Sequence, residues 1–307
     1  MTMPTFLAIG AGKAGTSSLH HYLSQHPQIY ITPIKEPKFF AFEGEELDFG
    51  GPGDQTAHRS TVTDIETYRA LFDGVSGERA AGEVSPVYIY IPKAPERIEH
   101  YIPEAKLIAV LRDPVERAYS SFQHLVREGR EPFDDFARAL HEEESRIKRN
   151  YAPLWHYKEG GFYSAQLSRY LERFERRRIR IYLYEDLRED PAGVLRDIFE
   201  FLDVDESFVP DMSARYNVGG VPKNKGLHAF LTRPNPIKAA VKPFVPTGLR
   251  KRLRTSLRNR NLHSSPEISL EVRQQLIEVY REDILNLEEL IQRDLSRWLE
   301  QARPRGS

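Results

Sequence analysis

The stretch FLAIGAGKAGTSSLHHYL, Phe6 to Leu23, sets a lysine and several hydroxyl side chains around a glycine turn. An apolar run enters the turn and a helix opens at Thr16. That gathers backbone N–H groups and the positive end of a helix at one point, which is chemistry for holding an anion. Gly12 and Gly15 let the backbone approach a ligand closely, Thr16 and Ser17 add hydroxyl donors, and Lys13 adds a point charge. Residues Gly12, Lys13, Ala14, Gly15, Thr16 and Ser17 therefore form the candidate cradle. The pattern departs from an ATP- or GTP-binding loop, which needs G-x-x-x-x-G-K-[ST]. Gly10 and Gly15 have that spacing, but Thr16 follows the second glycine and the lysine sits inside the loop. A lysine there lies against the first phosphate-like group rather than reaching for a terminal phosphate.

A second anion-binding element is LIAVLRDPVERAYSSF, Leu107 to Phe122. Asp113 suits a helix N-cap, Pro114 the first helical position and Glu116 the third, so a strand-to-helix junction is expected here. Arg112 then stands at the carboxyl end of a parallel strand, where open α/β sheets bind ligands. Ser120, two turns into the helix, can face the same opening. A guanidinium fork beside a hydroxyl is good phosphate-binding chemistry. Two anion sites at the ends of two strands point to one nucleotide with phosphates at both ends of its ribose.

The elements that must position these groups read as alternating strands and helices. TFLAIG, KLIAVLR (Lys106 to Arg112) and IRIYLYEDL (Ile179 to Leu187) are strand-like, and helical patterns lie at Glu116 to Arg127, Phe133 to Arg149, Ser164 to Arg176 and along PAGVLRDIFEFL. This alternation predicts a single α/β domain with a central, mostly parallel sheet flanked by helices. A last helix carries Leu276, Tyr280, Ile284, Leu287, Ile291, Leu295 and Trp298 at spacings of three and four, a packing stripe. Residues 44–64 read as a long surface loop, and 210–248 carry many prolines and glycines with little periodicity.

Composition bounds the partners. A formal net charge of −1 makes the chain no general polyanion binder, so any basic site is local and nucleic acid is not expected. The absence of cysteine removes disulfides, thiolate metal sites and cysteine nucleophiles. No His/Asp/Glu cluster has metal-ligand spacing, so no metal is expected. No apolar run approaches the roughly 20 residues that span a bilayer, and the first ten residues lack a signal peptide's basic start. A cytoplasmic protein is expected.

GAGKAGTSSL, KEPKFF and LRDPVERAYSSF, in that order, resemble the sulfotransferases that use 3′-phosphoadenosine 5′-phosphosulfate (PAPS), and among them bacterial relatives of the heparan-sulfate branch. The likeness extends through GEVSPVYIY, GGFYSAQLSRYL and RDLSRWL. It implies a P-loop-like sulfotransferase fold over residues 1–300, with 44–64 as a substrate-side insertion, 210–260 as a nucleotide-closing loop and basic segment, and 301–307 as a tail. It also implies that the first loop binds the 5′-phosphosulfate, that Arg112 and Ser120 bind the 3′-phosphate, and that Lys13 stabilises the leaving group. Glu36 matches the branch's general base, although Lys38 and Ala41 replace the histidine and aspartate of its K-E-x-H-F-F-D pattern, altering the expected acceptor contacts. In GEVSPVY, Val84 stands where the branch often has lysine, which weakens the case for a polysulfated glycan. Glu83 is expected near the acceptor or orienting the base. Lys225 and Gly226 match a loop that closes over the 3′-phosphate. His124, one turn beyond Ser120, is a rival base, since some family members use histidine. Loop 44–64 and residues 126–160, with Tyr151, Trp155 and Tyr157, are expected to shape the acceptor pocket.

The implied reaction is direct sulfuryl transfer to the hydroxyl of a carbohydrate or small molecule, with adenosine 3′,5′-bisphosphate leaving. Two other readings stay open: a P-loop kinase using ATP, and a non-catalytic nucleotide-binding module on the same fold. The basic run Lys242 to Arg260 reads as a solvated face or mobile lid, with stable membrane insertion not expected.

Overall fold

A computed structural model describes residues 3–213, 221–222, 262–263 and 267–300. Its centre is a five-stranded sheet in the order β2-β3-β1-β4-β5, parallel throughout. The strands are β1 (Phe6–Gly10), β2 (Ile29–Ile31), β3 (Ala80–Val84), β4 (Lys106–Leu111) and β5 (Ile179–Leu183). Every residue of β1 and β3 is buried, and so is β4 beyond Lys106, as a sheet covered on both faces requires. The expected α/β class is observed. A two-residue antiparallel ladder is added, Val221–Pro222, within the 210–248 stretch expected to lack periodicity, against Leu262–His263 beyond it.

The described helices, in chain order, are α1 (Thr16–Leu23), α2 (Phe39–Phe42), α3 (Gln55–Ser60), α4 (Ile65–Ala70), α5 (Ala94–Tyr101), α6 (Pro114–Arg127), α7 (Phe136–His141), α8 (Glu143–Lys148), α9 (Tyr163–Leu171), α10 (Tyr184–Glu189), α11 (Pro191–Phe201), α12 (Leu270–Ile291) and α13 (Ser296–Leu299). Three expectations change. The helix expected over Phe133 to Arg149 is two short ones, α7 and α8, parted at Glu142. The strand read through Leu187 stops at Leu183, because the Asp186 carboxylate accepts the Leu183 N–H at 2.9 Å and caps α10. Strands β2 and β3 were hidden by their shortness and by the small residues of AAGEV.

The chain builds one side of the sheet through β2 and β3, then crosses to the other side of β1 for β4 and β5. The carboxyl ends of the neighbours β1 and β4 therefore frame a topological switch point, where open α/β sheets place their ligands. Beneath it, α2 is short but wholly buried, and its Phe39 ring stacks on Tyr68 with centroids 4.5 Å apart. Burying each such ring contributes about 2–3 kcal/mol, so α2 is a firm anchor for the residues just before it, Glu36 to Lys38. The expected packing stripe of the last helix is buried as a whole, though Leu295 and Trp298 lie past Ile291, where Gln292 turns the chain with φ 54°.

Candidate active site

The turn after β1 delivers the cradle. Gly15 precedes α1 with φ 86°, a left-handed conformation that glycine adopts without strain, and no side chain caps the helix. No acceptor among the described residues takes the N–H groups of Gly12, Lys13, Gly15, Thr16 or Ser17. Lys13 itself has φ 72°. Its ammonium makes no ion pair or hydrogen bond among the described residues. Burial, then the neighbouring guanidiniums of Arg127 and Arg112, push its pKa from 10.5 down to about 8. A desolvated, unpaired cation crowded by two others is suited to a multiply charged anion.

Arg112, 99 residues away, is brought to the same point by β4. Its Nη1 donates to the Lys13 carbonyl at 3.2 Å and its guanidinium lies 4.9 Å from the centre of the Tyr184 ring. Asp113 caps α6, accepting from Val115 and Glu116 N–H groups at 2.8 and 3.2 Å. Glu116 does not close a capping box; it pairs with Arg112 at 3.5 Å and with Arg273 of α12. Ser120 is one turn beyond Glu116 on the same face of α6. Arg273, which braces this element from the far end of the chain, carried no local signal in the sequence.

The KEPK segment approaches from the other side. Lys35 Nζ donates to Ser17 Oγ at 2.8 Å and to Glu36 Oε1 at 3.1 Å, while Lys38 Nζ is 3.8 Å from Glu36 Oε2. Glu36 and Lys38 both have positive φ, 58° and 60°. Sparsely populated conformations at Lys13, Glu36 and Lys38 persist only where surrounding structure enforces them. For the last two the enforcement is visible: the Lys38 N–H donates to Ser85 Oγ at 3.1 Å, and Ser85 donates to Glu83 Oε2 at 2.6 Å. Glu83 does not line the cavity described below. It is fully buried and also accepts from the hydroxyls of Tyr68 and Tyr88. Burial raises its pKa to about 7 against the lowering effect of those hydroxyls. Its place is under the Glu36–Lys38 segment, linked to it through Ser85.

His124 does not line the cavity described below. Its Nδ1 accepts from the Arg127 guanidinium at 2.9 Å, and burial together with Lys13, Arg127 and Arg130 pushes its pKa down to about 3. So weak a base is a poor proton acceptor at neutral pH. Lys225, Gly226 and the basic run Lys242 to Arg260 lie outside the described residues.

Lys13 and Glu36 open onto a cavity of about 300 Å³ whose walls include Lys38, Phe42, Phe49, Val87, Ile89, Tyr90, Arg117 and Leu154. Residues 44–64, expected as a long surface loop, form part of it. They carry α3 and are riveted by buried Asp54, which accepts from the N–H groups of Gly51 and Ala152 at 3.1 and 2.9 Å, from Trp155 Nε1 at 3.1 Å and from Arg130. A Cβ at Gly51 would fall 2.2 Å from Asp54 Oδ2, so only glycine fits there. Trp155 and Tyr157, expected in the pocket, are fully buried behind it, whereas Ala152, Pro153 and Leu154 reach its surface. Among the described residues no cluster of three or more His, Asp or Glu side chains is arranged to hold a metal, and no helix is long and apolar enough to cross a membrane.

The comparisons agree with this arrangement. A sulfotransferase family model matches residues 4–208. The chain is 29% identical over 219 residues to the bifunctional heparan sulfate N-deacetylase/N-sulfotransferase 4 of Mus musculus, covering 66% of this chain and 22% of that protein. It is 32% identical over 214 residues to the corresponding enzyme 3 of Homo sapiens, with the same coverage. The match thus spans under a quarter of the length of these relatives. Among solved structures, a sulfotransferase from Alicyclobacillus acidocaldarius superposes with a TM-score of 0.76 at 37% identity, covering 98% of this chain and 100% of that one. With a glycine turn between β1 and α1, an all-parallel central sheet and a family match over residues 4–208, the chain belongs to the sulfotransferase family, enzymes of sulfuryl transfer.

Proposed function

We propose that the protein moves a sulfuryl group from PAPS to the hydroxyl of a carbohydrate or small-molecule acceptor in the cytoplasm. The observation that carries this reading is Lys13: a half-buried ammonium with no partner among the described residues, beside backbone N–H groups without acceptors there at the head of α1 and tied through its own carbonyl to Arg112. The 5′-phosphosulfate would sit at residues Gly12 to Ser17 and the 3′-phosphate at Arg112 and Ser120.

In the transfer, the acceptor oxygen forms a bond to sulfur as the bond from sulfur to the bridging phosphate oxygen breaks, and adenosine 3′,5′-bisphosphate leaves. Lys13 and the loop N–H groups neutralise the charge that grows on the departing oxygen. Glu36 takes the acceptor's proton. Lys35 spans Ser17 and Glu36, so a donor seated at Ser17 competes with Glu36 for that ammonium and loosens its hold on the base. Most of the rate then comes from alignment and fixed charge. The weak basicity of His124 supports Glu36 over it as the base.

Thermal stabilisation by adenosine 3′,5′-bisphosphate, compared with ADP, tests the donor class. A larger shift with the bisphosphate is expected; a larger one with Mg·ADP would return the kinase reading.

A further inference from the structure

The cavity beside Lys13 and Glu36 has a second property, independent of its phosphate-binding rim. Most of its polar side chains already have a partner within the protein, the ammonium of Lys13 and the buried Nε of Arg117 apart. Glu36 and Lys38 face one another, Asp54 and Arg130 are paired, and the Tyr90 hydroxyl lies 2.7 Å from His156 Nδ1. Ser121 Oγ donates to the Leu154 carbonyl at 2.8 Å, Thr56 Oγ1 to the Gly53 carbonyl at 2.7 Å, and Arg117 to the carbonyls of His156 and Tyr157. Ser60 and Thr61 have partners as well. What remains to meet a ligand is largely apolar: Phe42, Phe49, Val87, Ile89, Pro153 and Leu154.

A sugar brings several hydroxyls, each of which loses water on entry and costs about 1–3 kcal/mol if no partner replaces it. This cavity has few partners to give. Nor does its wall open cheaply for a chain to pass through: Asp54 holds residues 51 and 152 together by buried bonds, and breaking such a buried charge cluster costs about 3–5 kcal/mol. A volume of about 300 Å³ is at the small end of ligand pockets.

We propose that the acceptor is a small, mostly apolar alcohol or phenol, its hydroxyl at Glu36 and its body against Phe42, Phe49, Val87 and Leu154, and that a polysaccharide is not the substrate. This inference rests on the sulfotransferase reading above. The probe is 2-naphthol, with a desulfated heparin octasaccharide as the competing class, each titrated into the full chain saturated with adenosine 3′,5′-bisphosphate and followed by ligand-observed NMR. Expected is saturable 2-naphthol binding, weakened at least tenfold by Val87→Trp and by Leu154→Trp, which fill the cavity, and little affinity for the octasaccharide. The thermal shift with the bisphosphate serves as the folding control, and whichever tryptophan variant retains it is used. Absence of 2-naphthol binding, binding indifferent to the filled cavity, or tighter binding of the octasaccharide would each overturn the proposal. Failure of the donor reading shows separately, as a missing bisphosphate shift in the wild-type chain.

Discussion

Replacing Lys13 by methionine separates stability from function. The ammonium's pKa falls from 10.5 to about 8 through burial and two neighbouring guanidiniums. At about 1.4 kcal/mol per pH unit, holding it charged at pH 7 costs the ligand-free fold about 3 kcal/mol. Methionine fills a similar volume without the charge, so Lys13→Met should raise ligand-free stability by about 1–3 kcal/mol, allowing for relaxation around the site. For domains approaching this size that corresponds to about 2–4 °C in Tm per kcal/mol. The gain reverses once ligand is present. At a bisphosphate concentration 100 times its Kd the wild type gains about 2.7 kcal/mol, and Lys13→Met should gain little of it. Turnover should fall by about 100-fold or more, the loss seen when one preorganised charge-stabilising group is removed. Thermal melts of both proteins, with and without the bisphosphate, test the two signs together. A variant that melts lower than wild type without ligand, yet keeps the full bisphosphate shift, would show that Lys13 is a structural residue and refute the reasoning.

The same group sets a pH dependence. Because its folded pKa is depressed, the cost of the charged lysine is present below about pH 8 and is relieved between pH 8 and 10.5. The ligand-free protein should therefore gain stability from this group over that window, and bisphosphate affinity measured by calorimetry should fall as Lys13 loses its proton above pH 8. Arg112→Ala removes a charged hydrogen-bonding fork, worth about 1.5–3 kcal/mol, and should raise the bisphosphate Kd about 10- to 100-fold with a smaller effect on kcat at saturation. Glu83→Ala leaves the buried hydroxyls of Tyr68, Ser85 and Tyr88 without their acceptor; at about 1–3 kcal/mol for each such group, denaturant unfolding should show a loss of about 3 kcal/mol or more. His124→Gln should keep kcat within about threefold of wild type, and a loss of 100-fold would restore the histidine as base.

Local chemistry made part of the site legible. Residues 10–17 are contiguous, so the glycine turn between an apolar run and a helix, and the odd place of its lysine, could be read directly. The Asp113–Pro114 start of α6 was legible for the same reason, since caps act within four residues. Roles that came only by resemblance, such as that of Glu36, had no local signature. Nothing in GEVSP announces that Glu83 is buried under the Glu36 loop, because its partners Tyr68, Ser85 and Tyr88 become neighbours only when α4, β3 and the turn after it pack together.

What the sequence determined alone was local: a glycine turn carrying a lysine, an arginine at the end of a second strand, and an alternation that folds as a parallel sheet. What only the tertiary structure decided was their assembly. Strand order set β1 against β4, so that Arg112 meets Lys13 across 99 residues. Packing desolvated Lys13, buried Glu83 and tied up the polar groups that line the cavity. Burial, charge crowding and satisfied hydrogen bonds depend on residues distant in the chain, and periodicity in a single stretch carries no information about them.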